Sequence, residues 1–131
     1  MAQIKHIAIR TRDVDKTAAF YKNAFSLSQV GMGQNGVYLT DGHLNIAILK
    51  YQQGEDGRPL RLGVDHVGFQ VEDVDSAVAQ IESLRGTPSI TERIEVSPKD
   101  AEERQSYYEI KCIGPDEQVI DISSVGWVGA K

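Results

Sequence analysis

The chain contains an internal repeat, and this repeat limits the possible folds more than any other feature of the sequence. When the sequence is displaced by 60 residues, "IKHIAIRTRDVDKTAAFY", which begins at Ile4, overlies "VDHVGFQVEDVDSAVAQI", which begins at Val64. Five of the 16 positions from His6 to Tyr21 are identical, where unrelated segments would share about one. The identical pairs are His6/His66, Asp13/Asp73, Val14/Val74, Asp15/Asp75 and Ala19/Ala79. We therefore expect two copies of one structural module.

Each copy changes its hydrophobic period at the same point. "HIAIR" and "HVGFQV" alternate bulky apolar residues with small or polar ones, which predicts a strand. A helical spacing follows, carried by Val14, Ala18, Tyr21 and Phe25 in one copy and by Val74, Val78, Ile81 and Leu84 in the other. Asp13 and Asp73 are placed to cap the two helices, and Gly86 is placed to end the second.

Three further strands are predicted after each helix. They are "SQVGMG", "GVYLTD" and "LNIAILKY" in the first half, and "SITERIEV", "QSYYEIKCIG" and "QVIDISSV" in the second. Turn residues at 40–42 and 114–116 separate neighbouring strands. Residues 1–131 are thus predicted to form a single α+β domain of two βαβββ modules. Module one covers about 1–51, a Gly-rich linker about 52–63 and module two about 64–131.

Composition narrows the class of protein. Of 131 residues, 40% are hydrophobic and 25% charged, as in an ordinary globular domain. The net charge of −5 with 14 basic residues argues against nucleic acid as a partner. No apolar run approaches the ~20 residues of a membrane helix, and the N-terminus has no signal-peptide pattern, so we expect a cytoplasmic protein with no membrane partner. Cys112, the single cysteine, is interpreted as a small buried hydrophobe.

The alternation of the first strand of each module separates two faces. If the bulky residues face the helix, the other face carries His6, Ala8 and Arg10 in one module and His66, Gly68 and Gln70 in the other. A histidine, a small residue and a polar residue in the same order twice indicate a lined cavity rather than a second core layer.

The strand "VIDIS" adds a carboxylate to this face. With Ile120 and Ile122 turned toward the helices, Asp121 points into the same cavity as the two histidines. Two histidines and one carboxylate form the ligand set of a facial triad for Fe(II) or a similar divalent ion. The alternative is that the histidines are hydrogen-bonded structural residues and that Asp121 is a solvated edge residue.

Three segments carry a family resemblance: "HIAIRTRDVDKTAAFYKNAF", "DHVGFQVEDVDSAVAQI" and "GPDEQVIDIS". With them the chain resembles the vicinal oxygen chelate superfamily, which includes glyoxalase I, bleomycin-resistance proteins, methylmalonyl-CoA epimerase and extradiol dioxygenases. The resemblance implies a curved mixed sheet around a central cavity that holds a metal. By position His6, His66 and Asp121 match three ligand sites, although the family usually has Glu where Asp121 stands. The fourth site falls near Asn45, a weak oxygen ligand, or Ala47, which has no ligand atom.

Two functions compete. The first is a divalent-metal-dependent lyase, isomerase or dioxygenase that uses Fe, Mn, Ni or Zn and acts on a small oxygenated molecule. Its acid–base or substrate-orienting candidates are Arg10, Gln70, Tyr38 and Tyr108, and the tyrosines fit the core equally well. The second is a metal-free protein that binds a drug or metabolite, as bleomycin-resistance proteins do. A regulatory partner-binding domain is a third class, with only the generic charge in its favour.

Three smaller expectations complete the interpretation. A homodimer is expected, because the two modules leave helix and sheet edges exposed and relatives often pair them across subunits. The charged segment at 97–105 is interpreted as a solvated loop, with a lid over the cavity as the alternative. His43, beside the turn at Gly42, is interpreted as a surface residue.

Overall fold

Both halves of the repeat contain the same order of elements. The structure is a computed structural model and describes residues 1–51, 61–95 and 108–131, with the side chains of 91–95 and 108 outside the description. The first half contains β1 (Gln3–Thr11), α1 (Val14–Phe25), β2 (Ser28–Met32), β3 (Gly36–Thr40) and β4 (Asn45–Lys50). The second contains β5 (Gly63–Gln70), α2 (Val74–Arg85), β6 (Ile90–Glu95), β7 (Tyr108–Ile113) and β8 (Val119–Ser123). The described chain is therefore α+β with two βαβββ modules, as the repeat predicts.

The helix ends follow the capping signals. The side chain of Asp13 accepts a hydrogen bond from the amide of Lys16, and that of Asp73 accepts one from the amide of Ser76. Each aspartate thus satisfies an amide that the first helical turn leaves without an intrahelical partner. Gly86 ends α2 at φ 76, in the left-handed region that glycine enters without steric cost.

The chain forms two compact units, each with a mixed sheet. One unit comprises His6–Asp65 with Val128–Lys131, and its strands lie in the order β2-β3-β4-β1. The other comprises His66–Trp127 with Met1–Lys5, in the order β5-β8-β7-β6. In each, the first and last strands of the module are parallel neighbours and the remaining pairs are antiparallel. The equivalent strand order shows that the sequence repeat is also a repeat of topology.

A separate apolar core supports each unit. In the first it is formed by Ala18, Val37, Leu39 and Ile48, and in the second by Val74, Val78, Ile110, Cys112 and Ile122. Cys112 is fully buried among these side chains, which confirms its interpretation as a small hydrophobe. The helices thus pack on one face of each sheet and leave the opposite face for polar residues.

Two residues of the predicted helical stripes neither belong to these cores nor are among the residues packed against them. Phe25 is 63% exposed and Leu84 is 78% exposed, and both lie in the last turn of their helix. The ring of Phe25 lies 6.1 Å from that of Tyr21, one turn earlier, so its apolar contact is along the helix surface. Leu84 lines a surface groove that also includes Pro115 and Ile120. The helical period was correct, but the helix ends extend beyond the packed core.

The predicted turns connect neighbouring strands. Oδ1 of Asp41 accepts hydrogen bonds from the amides of His43 and Leu44, and Gly42 has a φ of 99. After Gly114, Glu117 takes the left-handed position at φ 60. Most of the predicted linker (52–60) and the whole 97–105 segment lie outside the described residues. Within the described part of the chain, neither helix is long and apolar enough to cross a membrane.

Candidate functional site

His66 and Asp121 meet on the polar face of the second unit. The parallel register of β5 and β8 sets Asp121 opposite Gly68, two residues beyond His66. Nε2 of His66 lies 3.0 Å from Oδ2 of Asp121, and both residues are buried, with 6% and 0% exposure. The structure thus brings His66 and Asp121 together within one unit.

The second oxygen of Asp121 has a different partner. Lys111 is the β7 residue opposite Asp121, and its Nζ donates a hydrogen bond of 2.7 Å to Oδ1. Burial alone would raise the pKa of Asp121, but the hydrogen bond from His66 and the charge of Lys111 lower that pKa to about 2. The carboxylate is thus negatively charged at neutral pH although it is fully buried.

A second acidic residue, Glu109, lies on the same face of β7 as Lys111. The indole Nε1 of Trp127 donates a 2.8 Å hydrogen bond to Oε1 of Glu109, and Nζ of Lys111 lies 3.9 Å from Oε2. Burial raises the pKa of Glu109, the charge of Asp121 raises it further, and Lys111 and Trp127 only partly oppose this. Glu109 is therefore a carboxyl group that exchanges a proton at a higher pH than an ordinary glutamate does.

Our sequence reasoning did not identify Glu109 or Lys111. The signal was present in the alternation of "YEIKCI", where Ile110 and Cys112 turn to the core and Glu109 and Lys111 to the other face. Trp127 follows the last strand, so strand alternation gives no information about its side chain.

His6 and Asn45 are paired on the polar face of the first unit. They are direct neighbours in the parallel register of β1 and β4, and Nδ1 of His6 lies 2.7 Å from Oδ1 of Asn45. Nδ2 of Asn45 donates a 2.9 Å hydrogen bond to the carbonyl oxygen of Val128. Both side chains are buried, His6 with 4% exposure and Asn45 with 1%.

The strand register shows which of the two residues, Asn45 or Ala47, is the counterpart of Asp121. In the second unit Asp121 lies opposite Gly68, and in the first unit the equivalent of Gly68, which is Ala8, lies opposite Ala47. Ala47 is thus the repeat counterpart of Asp121, whereas Asn45 corresponds to Val119, the residue opposite His66. The first unit therefore has no ligand atom at the position where the second unit has its carboxylate.

Two of the weaker candidates contact groups of their own unit. Nη1 of Arg10 donates to the Lys50 carbonyl at 3.1 Å, and its Nε lies 3.8 Å from a carboxylate oxygen of Asp65. Tyr38 lies over β2, since a Cβ built on Gly31 would be 3.2 Å from its Cδ2. These contacts hold Arg10 and Tyr38 in place within the first unit.

The remaining candidates lie elsewhere. Gln70 packs on the C-terminal segment, where a Cβ built on Gly126 would be 2.7 Å from its Oε1. Tyr108 begins β7, and its side chain lies outside the description. His43 is exposed, which confirms its interpretation as a surface residue.

A family model matches most of the chain. The model of the Glyoxalase/Bleomycin resistance protein/Dioxygenase superfamily matches residues 3–105. The chain belongs to this superfamily. The matched stretch of this superfamily member includes His6 and His66 but ends before Asp121. The association of Asp121 with His66 therefore rests on their contact within the second unit and not on the family match.

The superfamily member is also similar to individual proteins. It is 29% identical over 70 residues to the metallothiol transferase FosB of Shouchella clausii (strain KSM-K16). The aligned stretch covers 53% of this chain and 47% of the transferase. The 2,3-dioxygenase LapB from Pseudomonas sp. KL28 superposes with a TM-score of 0.66 and 18% identity, over 95% of this chain and 41% of the dioxygenase. The Mn(II)-bound glyoxalase from Novosphingobium aromaticivorans superposes with 0.65 and 17%, over 96% of this chain and 39% of the glyoxalase.

Two facts limit what these three relatives establish. The matches span less than half of each relative's length. At this level of identity, the two structural matches establish the fold and leave the activity open.

Proposed function

We propose that the protein is a divalent-metal-dependent enzyme that acts on a small oxygenated molecule, with His6, His66 and Asp121 as the metal ligands. The observation that carries the proposal is the 3.0 Å separation of Nε2 of His66 and Oδ2 of Asp121. Two ligand atoms that lie about 2.1 Å from a metal and at right angles to each other are about 3.0 Å apart. The pair thus has the spacing of adjacent ligands on one metal ion.

The chemistry of the donors also fits a metal. Imidazole and carboxylate groups suit Fe(II), Mn(II), Ni(II) and Zn(II) equally, and three protein ligands leave open positions for substrate. A divalent ion held there would stabilise negative charge that develops on two neighbouring substrate oxygens. To serve as a ligand, Nε2 of His66 would have to lose the hydrogen that it shares with Asp121; in a neutral ring this hydrogen moves to Nδ1, and no net proton is released.

Lys111 and Glu109 have separate roles in this proposal. Lys111 holds Oδ1 of Asp121, which keeps the carboxylate ionised and leaves Oδ2 as its ligand atom. Glu109 is the acid–base group: its carboxylate takes a proton from the substrate and returns it, because a pKa raised by burial and by the charge of Asp121 makes it a stronger base than an ordinary glutamate. Trp127 orients that carboxyl through Oε1, so Oε2 is the oxygen that exchanges the proton.

A metal-free binding protein is the second candidate function, and one observation favours it. The Lys111 ammonium already neutralises Asp121, with a hydrogen bond of 2.7 Å between Nζ and Oδ1. A buried carboxylate with this partner needs no metal to be stable. The two candidates make different predictions for the metal content of the purified protein.

The deciding experiment is a metal titration of protein first stripped with a chelator. Mn(II), Ni(II), Zn(II) and, without oxygen, Fe(II) are added separately, and binding is followed by calorimetry. We expect one ion per chain for at least one metal, and loss of binding in His66→Ala. The loaded protein is then tested with glyoxal–thiol adducts, catechols and, because one relative is named a metallothiol transferase, a thiol acceptor assay. If no metal binds and a small ligand still does, the metal-free function replaces this proposal.

The homodimer stays a prediction. Phe20 and Phe25 on α1 are 61% and 63% exposed, the ring of Tyr21 contacts both, and large exposed apolar side chains favour an interface. Sedimentation of the wild type and of a Phe20→Ser, Phe25→Ser variant tests this, and we expect the variant to be monomeric. The cytoplasmic location also remains a prediction from the sequence.

A further inference from the structure

We propose that Asn45 is a positioning residue that keeps the proton of His6 on Nδ1, so that the lone pair of the neutral ring is on Nε2. The inference rests on the proposed function only in its final step, where Nε2 becomes a metal ligand. The two hydrogen-bond partners of Asn45 determine which end of its side-chain amide donates and which end accepts. Both partners lie in the same unit as Asn45.

The main-chain carbonyl of Val128 orients the amide. A carbonyl oxygen only accepts hydrogen bonds, so the group 2.9 Å away must be the amide nitrogen, Nδ2. The amide oxygen Oδ1 therefore points at His6. That oxygen also only accepts, and it lies 2.7 Å from Nδ1 of His6, so Nδ1 must carry a hydrogen.

The Val128 carbonyl is itself held in place. The next carbonyl, that of Gly129, accepts a 2.9 Å hydrogen bond from the hydroxyl of Thr40, the strand neighbour of Asn45. Gly129 has a φ of 80, and a Cβ built on it would lie 2.8 Å from Cγ2 of Val30 and 3.0 Å from Cβ of Thr40. Only glycine allows this approach, so the segment's position depends on its sequence.

This role differs from the weak-ligand role that the sequence suggested for Asn45. Its oxygen is occupied by Nδ1 of His6, and the repeat counterpart of Asp121 is Ala47 instead. A ligating histidine usually donates its other ring N–H to a carbonyl or carboxylate group, which fixes the ring and the tautomer. The amide of Asn45 supplies such an acceptor.

The first test needs no metal. The protein is labelled with 15N in its histidines, and the ring nitrogens are observed in chelator-treated protein at a pH above the ordinary histidine pKa. We expect His6 to show a protonated Nδ1 and an unprotonated Nε2. In Asn45→Leu, which has a similar volume and no acceptor, we expect this preference to be lost. In Asn45→Asp, which retains an oxygen facing His6, we expect it to be kept.

The second test measures metal binding. Loss of such a partner costs about 10- to 100-fold in metal affinity, so Asn45→Leu should bind Ni(II) or Zn(II) more weakly by this factor. Thr17→Val is the matched control: it removes a part-buried side-chain hydrogen bond, the one to Thr11, in the same unit but touches neither His6 nor the residues that hold Asn45. We expect its His6 tautomer and its metal affinity to be those of the wild type.

Failure of the inference and failure of the proposed function give different results. An Nε2-protonated His6 in the wild type, or an unchanged tautomer in Asn45→Leu, overturns the role of Asn45. The expected tautomer in a wild type that binds none of the metals supports the role of Asn45 and overturns the metal-dependent function. If Asn45→Leu does not fold, the wild-type spectrum and the Asn45→Asp variant decide the question.

Discussion

The Lys111 ammonium lies 2.7 Å from Oδ1 of Asp121, which is fully buried. Removal of the lysine leaves a buried negative charge with less compensation. We expect Lys111→Met to destabilise the metal-free protein by about 3 kcal/mol, measured by urea unfolding. A divalent metal should restore more stability to this variant than to the wild type, because the ion supplies the missing positive charge. Equal metal-induced shifts of Tm in the two proteins would contradict the assignment of Asp121 as a ligand.

The depressed pKa of Asp121 predicts a specific loss of stability in acid. Its ordinary value is 3.8 and its value in the folded protein about 2, so the unfolded chain binds the proton more readily. The stabilising contribution is complete above about pH 4 and disappears as the pH falls toward about 2. The difference in unfolding free energy between the wild type and Asp121→Asn should narrow over this window. A difference that does not change with pH would mean that the carboxylate charge makes no contribution.

The charge of Glu109 should affect the stability of the folded protein in the opposite direction to that of Asp121. Because burial raises its pKa, its charged form destabilises the folded state, and this cost appears as the pH rises past the ordinary glutamate value of 4.5. Glu109→Gln should therefore be at least as stable as the wild type at neutral pH while its metal content is unchanged. Once a substrate is known, turnover should fall by about 10²- to 10⁴-fold, as for other acid–base residues. Unchanged turnover would remove Glu109 from the mechanism.

The face of each strand was predictable from the sequence, but the register between strands was not. The alternation around His6 and His66 placed both on the polar face, since side-chain direction in a strand depends only on local order. The choice between Asn45 and Ala47 required the pairing of β1 with β4, which joins residues 39 positions apart for His6 and Asn45. No local pattern encodes such a pairing.

The partners of Asp121 illustrate the same limit. Lys111 faces Asp121 because β7 and β8 are antiparallel neighbours with these residues opposite each other. The turn after Gly114 indicated this hairpin, but a register shift of one residue would have exchanged Lys111 for a core residue. The ligand candidates were therefore predictable from local alternation, while the residues that contact them depend on long-range strand pairing.

His66 and Ile122 provide a test that separates function from folding. His66→Ala should remove metal binding and leave the fold intact, because the side chain lies on the polar face of β5 rather than in the apolar core. Ile122→Ala should do the reverse and cost about 2–5 kcal/mol, since Ile122 is 2% exposed within that core. Circular dichroism and metal titration of both variants check this. If His66→Ala unfolds, the histidine is structural.

Ala47 offers a test of the repeat itself. It is the counterpart of Asp121 by strand register, and it is 1% exposed. Ala47→Asp would supply a carboxylate where the first unit has no ligand atom. We expect the metal-free variant to be less stable than the wild type, because a buried charge without a partner is costly.

Metal should reverse this loss in Ala47→Asp and bind more tightly than in the wild type, since a fourth donor adds to the three proposed. Ala47→Asn is the matched control, with nearly the same volume and no charge. Calorimetric titration with Ni(II) or Zn(II) compares the three proteins. Equal or weaker metal affinity in a folded Ala47→Asp variant would show that the two units do not contribute equivalent positions to one metal site.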